Sequence, residues 1–181
     1  MNAAAGETVG RIELRLRRLD QLFDSYDPAP FHEKDLDPDA EEFIVSWARE
    51  HGPSKPLQFV LHLPEDQRPL EPERVVREAI ANYFTYRVEL AGHELRRMLQ
   101  LGRKSLLVGL GFLVVCVTLR ELASGLGTAD WVRVLQEGLL IIGWVAMWRP
   151  IEILLYDWWP IRARRATFSR LAAMGVEVCW S

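Results

Sequence analysis

Cysteine is nearly absent from this chain: Cys116 and Cys179 are the two among 181 residues, too few for a disulfide-stapled secreted scaffold. A large charge of one sign is missing too. The 22 Lys/Arg stand against 25 Asp/Glu, a net of -3, which argues against a nucleic-acid binder. No Walker-type phosphate loop, GxGxxG fingerprint, GxSxG elbow, HExxH or Cys/His ligand spacing occurs. His32, His51, His62 and His93 lie far apart. These gaps leave no catalytic, cofactor-binding or metal-binding residue to name, so no cofactor or metal is expected and a non-enzymatic role is favoured.

What is present is unevenly spread. Mean hydropathy is -0.03, the value of an ordinary soluble domain. Yet residues 1–93 hold 18 Asp/Glu against 11 Lys/Arg, whereas 94–181 hold 7 against 11. An acidic front half is joined to a basic, strongly apolar back half. Residues 105–119, SLLVGLGFLVVCVTL, carry no charge, and neither do 138–148, GLLIIGWVAMW. Each falls short of the roughly 20 residues that cross a bilayer core. Extending them admits Arg120 and Glu121 on one side and Arg133, Gln136 and Glu137 on the other, toward one membrane face where long side chains snorkel. Apolar residues cover all faces of both helices, which favours a transmembrane hairpin over a buried soluble pair.

Flanking charge orients the hairpin. Arg96, Arg97, Arg103 and Lys104 precede the first span, and Arg149, Arg162, Arg164, Arg165 and Arg170 follow the second. The connection between spans has only Arg120 and Arg133, opposed by Glu121 and Asp130. The positive-inside rule then places both termini in the cytoplasm. The opening MNAAAGETVG has no apolar core, so no cleavable signal peptide is expected. Glu137 reads either as an ion-pathway carboxylate or, preferred here, as a member of a local ion pair with Arg120 or Arg133. Gly109, Gly111, Gly138 and Gly143 suit either hairpin packing or oligomerisation.

Pro150 should kink or end the second span. Beyond it, Ile151, Leu154, Leu155, Trp158 and Trp159 form a helical stripe, with Glu152 and Asp157 off it and Pro160 closing it. Trp148, Tyr156, Trp158 and Trp159 make an aromatic belt. With Arg149, Arg162, Arg164 and Arg165 they form the expected membrane-interface site, on an amphipathic helix over 150–160. A straight second span is the rival reading; it would hold Arg149 and Glu152 at membrane depth.

The remaining segments predict a small α/β domain. Residues 11–17, RIELRLR, alternate as a half-buried strand; 57–63 and 176–180 do the same. Gln58, Val60 and His62 fall on the outer side of the second strand. Asp37 caps a helix that starts at Pro38 and stops at Gly52-Pro53, with Ala40, Phe43, Ile44, Trp47 and Ala48 as its buried stripe. A second helix opens near 71–73, runs through Val76, Ala79, Ile80, Tyr83 and Phe84, and enters the first span, with a bend near Gly92 or Gly102. A further helix over about 161–174 carries Phe168, Leu171 and Met174. In the loop 20–37, Phe23, Tyr26 and Phe31 could pin the chain, and its aspartates lack EF-hand spacing.

The fold class expected is therefore an α+β membrane protein, a two-helix transmembrane hairpin inserted in a small cytoplasmic domain of about three strands with packed helices. Its parts are a cytoplasmic portion over 1–102, the hairpin over 103–149, the interfacial helix over 150–160, and a helix and strand over 161–181 that complete the domain. The segments FHEKDLDPDAEEFIVSWARE (31–50) and EGLLIIGWVAMWRPIEILLYDWWP (137–160) resemble an uncharacterised family of small bacterial inner-membrane proteins with two transmembrane helices. That resemblance implies a bacterial inner-membrane address and no catalytic or binding residues. The role expected is a membrane-anchored accessory or scaffold subunit. Its partners would be the lipid bilayer and either a protein or further copies of itself, with no nucleic acid. Behind it stand an oligomeric transport component using Glu137 and an interfacial lipid-modifying enzyme using His32.

Overall fold

The computed structural model describes residues 9–26, 28, 34–52, 55–67, 73–125, 127 and 129–180. They form mixed helix and a small parallel sheet, with two helices long and apolar enough to cross a membrane. The chain divides into a head, Met1–Ala91 with Ala163–Ser181, and a hairpin, Gly92–Arg162.

Three strands make the sheet of the head: β1 (Gly10–Arg15), β2 (Leu57–Leu63) and β3 (Gly175–Trp180), in the order β1-β2-β3 and all parallel. The alternation that marks these segments sets their faces. Ile12 pairs with Phe59 and Phe59 with Val176, and the next inward row is Leu14, Leu61 and Val178. The C-terminal strand, marked by its alternation, pairs with β2 and not with β1. Val60 departs from expectation. It lies between Glu13 and Glu177 in the register and is fully buried, because a central strand's outer residue is covered by its neighbours' side chains.

Helix α1 (Pro38–Glu50) starts where its cap dictates. The Asp37 carboxylate accepts from the backbone N–H groups of Asp39 (2.9 Å) and Ala40 (3.4 Å). Its buried face holds Ile44, Val45 and Ala48, while Trp47 is largely exposed, ringed by Phe43 and His51. The stripe is thus rotated from the one expected. A tryptophan within reach of solvent leaves the core to the β-branched residue two positions earlier. At the other end, Arg170 of α4 (Trp158–Ala172) donates to the carbonyls of Ala48, His51, Gly52 and Lys55, two of them at 2.9 Å. This cation answers the orphan carbonyls and negative end of α1. It is a tie within the head.

Helix α2 (Glu73–Ser124) runs through Gly92 and Gly102 without a break. Val76, Ala79, Ile80, Tyr83 and Phe84 lie in the core, joined by Phe168, Leu171 and Met174. Beside them a polar knot forms. The Tyr83 hydroxyl donates to Glu41 Oε2 (2.6 Å), Arg87 Nη2 meets Glu41 Oε1 (2.6 Å), and the guanidinium lies 5.2 Å from the Phe168 ring centroid. Burial pushes the Tyr83 phenol well above the ordinary tyrosine value, and donation to Glu41 pushes it further. Glu41 is the hub of this knot.

After a turn through Gly127, the one described residue with a left-handed φ (111°), α3 (Asp130–Glu152) runs back along α2. Pro150 does not end it. The chain stays helical to Ala172, and the irregularity falls at Ile153–Asp157 as a π-helical turn. Pro150 and Pro160 supply no N–H, and the ring of Pro160 crowds the carbonyl four residues back. Widening the turn just ahead of Pro160 relieves that crowding, so this proline sits in the first turn of α4 rather than after its end. The Trp158 indole N–H donates to the Leu154 carbonyl (2.9 Å), a side-chain bond across the widened turn.

Candidate functional site

Three glycines hold the hairpin together. A Cβ on Gly143 would lie 2.8 Å from Leu113 Cδ1 and 3.2 Å from Cys116 Cβ. One on Gly109 would lie 3.1 Å from the Ala146 carbonyl oxygen, and one on Gly102 2.8 Å from Ile153 Cγ2. The helices approach through these positions, which sets their register. Gly111 and Gly138 meet nothing within 4 Å and take no part in that packing. Cys116 is buried between the helices.

The outward surface is apolar. Leu107 and Val108 are 71% and 73% exposed, and Phe112, Val115, Ile141, Ile142, Trp144 and Val145 continue the band. Pro150 and Ile153 turn inward against Gly109 and Gly102, whereas Ile151, Leu155 and Trp159 of the expected stripe are exposed. A π turn interrupts the regular helical spacing within this segment. Of the expected belt, Trp148, Tyr156 and Trp159 face outward, while Trp158 is half-buried with the Arg162 guanidinium 5.6 Å over its ring.

The band's two ends differ in how they treat charge. At the loop end, Arg120 pairs with Glu121 (3.1 Å) and Arg133 pairs with Asp130. The expected ion pair of Glu137 with Arg120 or Arg133 does not form. Glu137 is exposed and takes part in no ion pair among the described residues, because each arginine finds an acid nearer along its own helix. Arg149, which the continuous helix carries into the band, bonds Glu152 (3.0 Å) and reaches Asp157 (3.4 Å). Arg149 is thus neutralised within the continuous helix. By contrast Arg96, Arg97, Arg103 and Lys104 are exposed and form no ion pair among the described residues. Arg164 and Arg165 belong to the head part of α4; Arg165 is exposed and Arg164 half-buried.

A groove of about 450 Å³ opens on the α2 face formed by Glu94, Arg97, Met98, Leu101 and Lys104, with Gln100 beside it. Sequence reading had counted its cations without seeing the groove, although the spacing 94, 97, 98, 101, 104 places these residues on one helical face.

The head offers a second surface. The helices cover one side of the sheet; the other side presents Arg11, Glu13, Arg15, Gln58, His62 and Glu177. Glu13 lies near Arg11 (3.7 Å) and His62 (3.8 Å), and Gln58 donates to Glu177 (2.9 Å). His62 thus has a carboxylate neighbour in Glu13 and the free Cys179 as its register partner on β3. A polar cavity of about 530 Å³ lies at Arg18, Asp20, Lys34 and Asp37, where Arg18 is already paired with Asp20 (2.5 Å) and Asp37 serves as the cap. In the loop 20–37, Phe23 is buried and bridges to Leu36, while Tyr26 is exposed. His32, Phe31 and Asp27 lie outside the described residues. No group of three metal-binding side chains occurs among the described residues. Comparisons with protein-family models, with curated proteins and with solved structures return no match to this chain.

Proposed function

We propose that this chain is a membrane-anchored, non-enzymatic module. Its hairpin holds it in a bacterial inner membrane with both termini cytoplasmic, and its head docks a protein partner as an accessory or scaffold subunit. One observation carries the docking role: the sheet is wholly parallel, yet among the described residues the side away from the helices presents mostly charged and polar groups. Parallel sheets are almost always covered on both faces. A face of alternating charges with satisfied local pairs suits a polar interface better than a hydrophobic core. The difference between the ends supports the orientation, because cations left unpaired beside 103 and 104 fit the cytoplasmic side of the positive-inside rule.

The test is purification of the full chain from its own membranes in mild detergent. A stoichiometric partner or a stable homo-oligomer is expected, released by Glu13→Arg together with Glu177→Arg. Recovery as a lone monomer would overturn the reading. Thiol accessibility at cysteines introduced near residues 9 and 127 reports the orientation, with 127 expected to react from outside the cell.

A further inference from the structure

We propose that the α2 groove between Arg97 and Lys104 is a binding site for an anionic glycerophospholipid, the two cations holding its phosphate while Met98 and Leu101 take the upper part of an acyl chain. This inference rests on the hairpin lying in a bilayer, as proposed above. Four observations on the hairpin support it.

The first is shape. Residues 94, 97, 98, 101 and 104 line one concave surface of about 450 Å³. Arg97 and Lys104 are two helical turns apart, about 10 Å along the axis, within reach of one headgroup from both sides given their long stems. The second is free charge. Neither cation has an ion-pair partner among the described residues, and Arg96 and Arg103 beside them are equally unpaired, whereas Arg120, Arg133 and Arg149 are all neutralised by a neighbouring acid. Four cations against Glu94 make this end of the hairpin locally positive.

The third observation is the apolar floor. Leu101 is 56% exposed between the two cations, and the surface runs on without a charge from Ser105 into Leu107 and Val108. A phosphate on an acyl chain matches cations followed by hydrocarbon; a soluble acidic peptide would leave that floor uncovered. The fourth is chemistry. A guanidinium offers a planar pair of donors to phosphate oxygens and an ammonium a point charge, and together they favour a headgroup of net negative charge over a zwitterionic one.

The test uses the full chain, delipidated in mild detergent and titrated with phosphatidylglycerol or phosphatidylcholine of the same acyl chains, with bound lipid counted by native mass spectrometry. Phosphatidylglycerol should bind about tenfold more tightly, and Arg97→Gln with Lys104→Gln should bring it down to the phosphatidylcholine level. Arg74→Gln, in the head and paired with Glu78, should leave the preference intact. Equal binding of the two lipids, or a preference that survives the double substitution, would overturn the site. So would complete displacement of phosphatidylglycerol by millimolar inorganic phosphate, which would identify a free-anion site. If the double variant does not fold, rising salt applied to the unaltered chain should erase the preference, and a salt-independent preference counts against the proposal. Flotation with pure phosphatidylcholine vesicles separates the two readings. A chain that floats but shows no lipid preference retains its anchor and loses this site; a chain that does not float loses the anchor.

Discussion

The head and the hairpin are both built from apolar residues at helical or strand spacing, and they use them in opposite ways. In the head, Ile12, Phe59 and Phe84 are fully buried, and charged groups near the core are tied into the Glu41–Tyr83–Arg87 knot or, like Arg170, onto carbonyls. In the hairpin, close inward contacts are made at glycines, and most of the large side chains point outward. The difference teaches how each region closes on itself. The head packs large groups against one another and excludes water from between them. The hairpin leaves an apolar outer surface and joins its helices by close backbone approach.

The sharpest way to break this comparison is to remove one aromatic ring from each region. Phe84→Ala should destabilise the head by about 3–5 kcal/mol, since the ring is enclosed beside Phe168, whereas Phe112→Ala on the outer band should change unfolding by no more than about 0.5 kcal/mol. Urea titration of the full chain in detergent, followed by hydrogen exchange in each region, measures both. Similar losses would mean that the two regions are packed alike.

Next in size is the polar knot. Tyr83→Phe should cost about 1.5–3 kcal/mol at neutral pH by removing a hydrogen bond to a carboxylate. The folded phenol's pKa is raised, so its contribution is complete below the unfolded value of about 10 and declines as pH rises above it. Denaturation midpoints of the unaltered chain should therefore fall between pH 9 and 11 on an alkaline series, by about the amounts that the linkage relation sets, and Tyr83→Phe should remove that part of the slope.

Gly143→Leu should weaken the hairpin by about 1–3 kcal/mol, because even a Cβ there crowds Leu113 and Cys116. Gly111→Leu, with open space around it, should be neutral in detergent. Thermal unfolding of the two variants side by side distinguishes packing glycines from the others. The smallest effect is expected at Glu137→Gln, which removes no ion pair and should shift the midpoint by less than about 0.5 kcal/mol. A large loss there would reveal a partner for Glu137.

Local patterns were enough for much of this fold. Strict alternation marked β1, β2 and β3, Asp37-Pro38 marked the start of α1, and the uncharged runs marked the two long apolar helices, since each rests on periodicity or capping within a few residues. Other features depend on who meets whom. Pro150 reads as a kink or a stop because a proline's missing donor is a local fact; the helix continues through it, with a π turn, the Trp158 indole bond and the pairing of Arg149 with Glu152 and Asp157 beyond. Arg120 and Arg133 were read as partners for Glu137, yet rotamer and helical phase gave them Glu121 and Asp130. The order of apolar and charged residues determined that this chain has an α/β part and an apolar hairpin. Only tertiary structure decided that the sheet is parallel with a largely polar outer side, that Gly102, Gly109 and Gly143 face inward, and that the cations from 96 to 104 form no ion pair among the described residues, because pairing and exposure are settled by neighbours distant in sequence.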